Sequence, residues 1–147
     1  KFDPNGQPLG QWGGSGAGQS QFQEPVGIAI DAKGQVYVAD TWNRRVQVFD
    51  SQFGFVREFP VEGWEGQSLA NKPFLAVDAS GNVYVTDAES YRTIKFGPDG
   101  QVLAVWGKRG EDLSSFNLPA GIALNAQGDL LISDSGNNRI LEFAAVR

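Results

Sequence analysis

Short apolar bursts separated by polar turns run the length of the chain, and none keeps the 3.6-residue period that an amphipathic helix requires. Three bursts share one form: Ile28-Ala29-Ile30, Leu75-Ala76-Val77 and Ile122-Ala123-Leu124. Each runs into a turn, Asp31-Ala32-Lys33-Gly34, Asp78-Ala79-Ser80-Gly81 or Asn125-Ala126-Gln127-Gly128. Asp or Asn at the first position can bond nearby backbone N–H groups and glycine at the fourth tolerates positive φ, so each turn predicts a hairpin. A second burst follows, Val36-Tyr37-Val38, Val83-Tyr84-Val85 or Leu130-Leu131-Ile132, rich in the β-branched, aromatic and other apolar residues of a buried strand. A polar loop leads to a third strand ending at Phe49, Phe96 or Phe143. Turns such as Gly97-Pro98-Asp99-Gly100 then open a fourth, such as Val102-Leu103-Ala104-Val105-Trp106. We call these strands a, b, c and d.

The register never slips. Phe2, Phe49, Phe96 and Phe143 each lie 47 residues from the next. The same step joins Gly34, Gly81 and Gly128, then Asp40, Asp87 and Asp134, then Arg45, Arg92 and Arg139. It also joins Trp12, Phe59 and Trp106, and Phe22, Leu69 and Phe116. Four short antiparallel strands per unit of this length are the signature of a β-propeller blade. The expected fold is therefore all-β, with three four-stranded blades in one domain over residues 1–147 and repeats at about 2–48, 49–95 and 96–142.

The phase of the repeat adds a second expectation. The chain opens at the end of a strand c, supplies a strand d at about 8–12, and closes at the end of another strand c. Three blades would each have to span about 120° to close a ring alone, and six is the multiple of three among ordinary propellers of four to eight blades. Two chains are thus expected to form a homodimeric six-bladed ring, the strand d of each completing the partner's last blade and hiding a sheet edge. A fragment excised or engineered from a longer propeller would show the same phase.

Composition narrows the function. The chain is 41% hydrophobic, with no apolar run long enough to span a bilayer. Residue 1 already abuts the first repeated phenylalanine, so a trimmed sequence without a leader is expected and no compartment can be read from it. The net charge of −5 argues against general affinity for nucleic acid or an anionic membrane. Histidine and cysteine are both absent, which removes serine–histidine triads, thiol nucleophiles and histidine- or thiolate-ligated metals. A carboxylate-only hydrolase would need paired acids in the channel, and the a strands carry none. The expectation is a chain that is not an enzyme and holds no cofactor or metal.

Three candidate sets remain. Asp40, Asp87 and Asp134 each precede Arg45, Arg92 or Arg139 by five residues, and a residue repeated in every blade is expected to brace its own b–c loop. The Asp31-x-x-Gly34 turns share residues with calcium loops but lack the alternating oxygen ligands and distal Glu, so they read as structural. Residues outside the repeat are better contact candidates: Trp42, Arg44, Trp64, Tyr91 and Arg109, with Lys108, lie in b–c or d–a loops expected on one face of the ring. For Trp64 and Trp42 the competing expectation is a lid over a blade's apolar edge.

The stretches PVGIAIDAKGQVYVADTWNRRVQVFD and PAGIALNAQGDLLISDSGNNRILEF closely resemble the NHL repeat. The middle copy departs from it: PFLAVD lacks the glycine after proline, and Tyr91 stands where a polar residue is usual. The resemblance implies a propeller. Some proteins of this kind are lyases with histidine-held metal, and this sequence has no histidine to supply that site. The NHL domains of tripartite-motif proteins bind RNA, but the six loop stretches here carry a net −2, so RNA is not expected as a partner. Two readings stand: a non-catalytic scaffold that self-assembles, and a protein-, peptide- or glycan-binding module of a bacterial NHL protein.

Overall fold

The computed structural model describes residues 1–66 and 72–144. Among these residues eleven strands form three antiparallel meanders. The first blade holds β1 (Pro25–Ile30), β2 (Val36–Asp40), β3 (Arg45–Phe49) and β4 (Phe55–Pro60), hydrogen-bonded in that order. The second holds β5 (Leu75–Val77), β6 (Val83–Asp87), β7 (Arg92–Phe96) and β8 (Val102–Trp106). The third holds β9 (Pro119–Leu124), β10 (Leu130–Asp134) and β11 (Arg139–Phe143). Among the described residues there is no α-helix, only 3-10 turns at Thr41–Asn43, Trp64–Gly66 and Ser135–Asn137.

The third sheet holds strands a, b and c without a d, as the phase of the repeat predicts, and within this chain the expected strand d at Pro8–Trp12 forms no ladder: Phe2 and Pro8 make one isolated antiparallel bridge. A strand needs a ladder of partners, and Pro8–Trp12 has no neighbouring strand in register along its length. Arg139–Phe143 likewise ends its sheet as an edge strand among the described residues.

The hairpin turns form as the Asx–glycine pattern predicts. Asp31 Oδ1 accepts the N–H groups of Lys33 and Gln35 at 2.8 and 2.9 Å, while Gly34, Gly81 and Gly128 take φ of 79°, 84° and 87°. The missing glycine of the middle copy also has a consequence. A Cβ on Gly27 would meet Leu75 N at 3.2 Å and Phe74 Cα at 3.3 Å, so β1 comes close to β5. Phe74 stands at the equivalent place in the second blade, and β5 is three residues long where β1 and β9 are six.

Strand alternation gives each blade two faces. In the first blade one face carries Ala29, Tyr37, Ala39, Val46, Val48 and Phe59, and it packs on Leu75, Val83, Val85, Ile94 and Phe96 of the second. The second blade then presents Tyr84 and Trp106 to Ile122, Leu130, Ile132, Leu141 and Phe143 of the third. An aromatic ring marks each junction: Phe59 lies 5.0 Å from Phe96, and Trp106 lies 6.1 Å from Phe143. Trp12 repeats this contact against Phe49 at 6.2 Å, although no preceding blade exists among the described residues.

Candidate functional site

The b–c and d–a loops meet on one side of the blades, where the repeated Asp–Arg pairs tie them together. Asp40, Asp87 and Asp134 are fully buried, and their Oδ2 atoms accept Arg45 Nε at 2.7 Å, Arg92 Nε at 2.8 Å and Arg139 Nε at 2.8 Å. The arginine forks reach on into the d–a loops: Arg45 Nη2 donates to the carbonyls of Gly18 and Gln21, and Arg139 Nη2 to those of Asp112 and Ser115. Asp40 and Asp134 also accept the N–H groups of Gln23 and Asn117 at 2.8 and 2.6 Å. A buried charge needs a partner and hydrogen bonds to its remaining lone pairs, and these carboxylates have both. Their lone pairs hold loops in place.

On this frame the non-repeated residues form two clusters. Trp42 is 53% exposed and borders a cleft of about 440 Å³ with Arg44, Glu65 and an edge of Trp64. Arg44 and Glu65 lie 3.9 Å apart at their charged ends, both well exposed. Tyr91 and Arg109 form the second cluster, the guanidinium 5.5 Å from the ring centroid in a cation–π contact. Lys108 stands apart as an exposed partner of Asp112 at 4.0 Å.

Of its two expected roles, Trp64 is placed for the lid. It is only 2% exposed, packs in the core between the first two blades, and donates Nε1–H to the Thr86 carbonyl at 3.3 Å. Its 3-10 turn folds the indole inward because the blade edge beneath it offers apolar contact and one acceptor, a lid rather than an anchor. Arg44, Tyr91 and Asn138 share a feature the sequence hides: all three adopt left-handed backbone, at φ of 55°, 57° and 54°. Asn tolerates this conformation; Arg and Tyr carry strain in it. Two loop residues escaped the sequence reading, Glu65 beside Arg44 and the exposed Leu113, an apolar residue in a polar loop.

The opposite side has its own repeated cluster. Tyr37 OH donates to Asp31 Oδ2 at 3.3 Å with Arg57 over its ring at 5.9 Å, and Tyr84 OH donates to Asp78 Oδ2 at 3.1 Å with Lys95 over its ring at 5.2 Å. Burial is the main cause that raises both phenol pKa values above 10.0. Burial also pushes the Asp78 carboxyl up, but hydrogen bonds from the Asn82 side chain and backbone and from Tyr84 outweigh it and leave the pKa below 3.8. In the loop above the third blade, hydrogen bonds from Ser114 and Ser115 draw Asp112 down to about 2. No group of three or more His, Cys, Asp or Glu residues fit to hold a metal occurs among the described residues, nor does a helix long and apolar enough to cross a membrane.

Known proteins match this geometry in three ways. The NHL repeat model matches residues 22–49 and 116–143, the first and third units. The B-box type zinc finger protein ncl-1 of Caenorhabditis elegans is 44% identical over 45 residues, which is 31% of this chain and 5% of that protein. NHL repeat-containing protein 3 of Homo sapiens is 43% identical over 42 residues, 29% of this chain and 12% of that protein. The chain thus spans a small part of each curated relative. Among solved structures, a streptogramin B lyase superposes with a TM-score of 0.58 at 18% identity, over 84% of this chain and 41% of that one. A Bacteroides thetaiotaomicron protein of unknown function gives 0.61 at 18% identity, over 75% of this chain and 30% of that one. Identities this low speak for the propeller fold alone. The chain therefore carries NHL repeats in its first and third units, and the middle unit stacks between them in the same register to give a β-propeller-like fold.

Proposed function

We propose that the chain is a non-catalytic propeller scaffold whose activity is assembly, two copies closing a six-bladed ring. One observation carries this reading: the outer faces of the first and third blades are repeat counterparts of faces buried inside the chain. Ile28 and Ile30 are 60% and 65% exposed, whereas Leu75, one repeat after Ile28, is 5% exposed. At the other end Ala123, Leu131 and Ile140 occupy the places of Ala29, Tyr37 and Val46, which bury against the second blade. A face built to pack on a blade, left open, is an apolar patch that favours association. Closing the ring would also set Pro8–Trp12 of one copy beside the open edge of β11 in the other, an exchange of strand d. The absence of histidine and the engagement of all three buried aspartates by arginine support a non-catalytic role. Native mass spectrometry or light scattering at micromolar concentration tests the reading: a species of twice 15.9 kDa is expected, and a stable monomer overturns it.

A second reading has its own support in the half-exposed Trp42 beside Arg44 and Glu65, a cleft suited to a protein, peptide or glycan. Trp42→Ala separates the two. Loss of a pulled-down partner with assembly intact favours a binding module, and loss of assembly favours packing.

A further inference from the structure

The contacts of the amino-terminal hairpin point to a built-in competitor for ring closure, and this inference rests on the ring-closing reading. In the complete blades strand c meets strand d at Phe49 opposite Phe55 and Phe96 opposite Val102. One repeat earlier the same pairing is Phe2 opposite Pro8, and it is present as an isolated bridge. The hairpin is closed further by Leu9 N–H to the Lys1 carbonyl at 2.8 Å and Asp3 N–H to the Gln7 carbonyl at 2.9 Å. Trp12 meanwhile already sits in the strand-d position against the first blade, 6.2 Å from Phe49 as Trp106 is 6.1 Å from Phe143.

We propose that Phe2 holds, within its own chain, the place beside Pro8 that Phe143 of a second copy takes when the ring closes. Both phenylalanines are the same repeat position, and strand d has a single edge facing strand c, so the two cannot pair with Pro8 together. The Lys1–Gln7 segment must peel away before β11 of the other copy can zip onto Pro8–Trp12. Phe2 is 68% exposed, so releasing it costs little packing. The slot that receives the strand is open: Tyr84, Lys95, Ala104, Leu130 and Phe143 line a cleft of about 430 Å³ beside β11. The hairpin sets the threshold for assembly, and the end faces supply its drive.

Two variants test this in the 147-residue chain. Deleting residues 1–6 removes the competitor and should lower the dimer dissociation constant about tenfold or more. Phe2→Cys with Pro8→Cys places a disulfide across the bridge, where opposed cross-strand Cα atoms lie about 4.5–5.5 Å apart, within disulfide range. With no other cysteine in the chain, oxidation should raise the dissociation constant about tenfold or more and reduction should restore it. Dimers of unchanged affinity in every form would overturn the competitor and leave ring closure standing. Monomers in every form would overturn ring closure itself. Far-ultraviolet circular dichroism matching the parent shows that each variant is folded.

Discussion

The two junctions inside the chain use one recipe and reach different degrees of closure. Between the first and second blades, Val46, Val48, Val83, Val85, Ile94 and Phe96 are buried, and Trp64 caps them. Between the second and third, Phe116 and Ile132 are buried but Ile122, Leu124 and Phe143 are half-buried. The repeat positions correspond, but Thr93 and Lys95 stand where the first junction has Val46 and Val48, and the neighbours differ as well. The first junction has four strands on each side and a tryptophan lid, whereas the second faces a three-stranded sheet. An outer strand seals a propeller junction as much as the residues that touch across it.

Loss of the lid is the hardest blow to this contrast. Trp64→Ala should destabilise the fold by about 3–5 kcal/mol, the usual range for a buried aromatic truncated to alanine, read as a shifted urea midpoint. Phe143→Ala at the open junction should cost about 1.5–3 kcal/mol at most; equal losses would mean the two junctions are sealed alike. Next come the loop braces. Removing Asp40 takes from buried Arg45 its Nε partner and leaves Glu58, 2.9 Å from Nη1, as its one remaining carboxylate, so Asp40→Ala should cost about 3 kcal/mol, the low end for a broken buried pair. Asp134→Ala should cost less than Asp40→Ala, because the Arg139 side chain is 24% exposed against 10% for Arg45 and water can take over part of its solvation.

Smaller effects sharpen the comparison. Arg44→Asn should stabilise by roughly 1 kcal/mol through relief of left-handed strain, since its exposed pair with Glu65 contributes little. A loss instead would show that Arg44 packs over the sealed junction. The acid limb of stability provides the last test. Asp78 and Asp112 have folded pKa values below 3.8, so each contributes stability that is full above that value and fades as pH falls through the folded pKa, near 2 for Asp112. Urea midpoints should therefore fall between about pH 4 and pH 2. Asp112→Asn should flatten only the lower part of that curve.

Much of this fold was legible in the residues themselves. Hairpins are local, so alternating strands joined by Asx–glycine turns at a constant step suffice to define blades, and the Asp–Arg spacing of five is set by one b–c loop. Legibility stopped where contacts between blades decide the outcome. Trp42 and Trp64 look alike as loop tryptophans, yet one stands over a cleft and the other lids the core, because only the latter has a blade edge and the Thr86 carbonyl beneath it. Tyr91 and Arg109 come together through the meeting of a b–c loop and a d–a loop. The left-handed backbone at Arg44 and Tyr91 was equally invisible, since neither side chain favours it. Sequence alone determined the repeat, its strands and its braces, because those interactions close within one unit. Which apolar residues are buried was decided by tertiary structure, because that depends on what packs against each face.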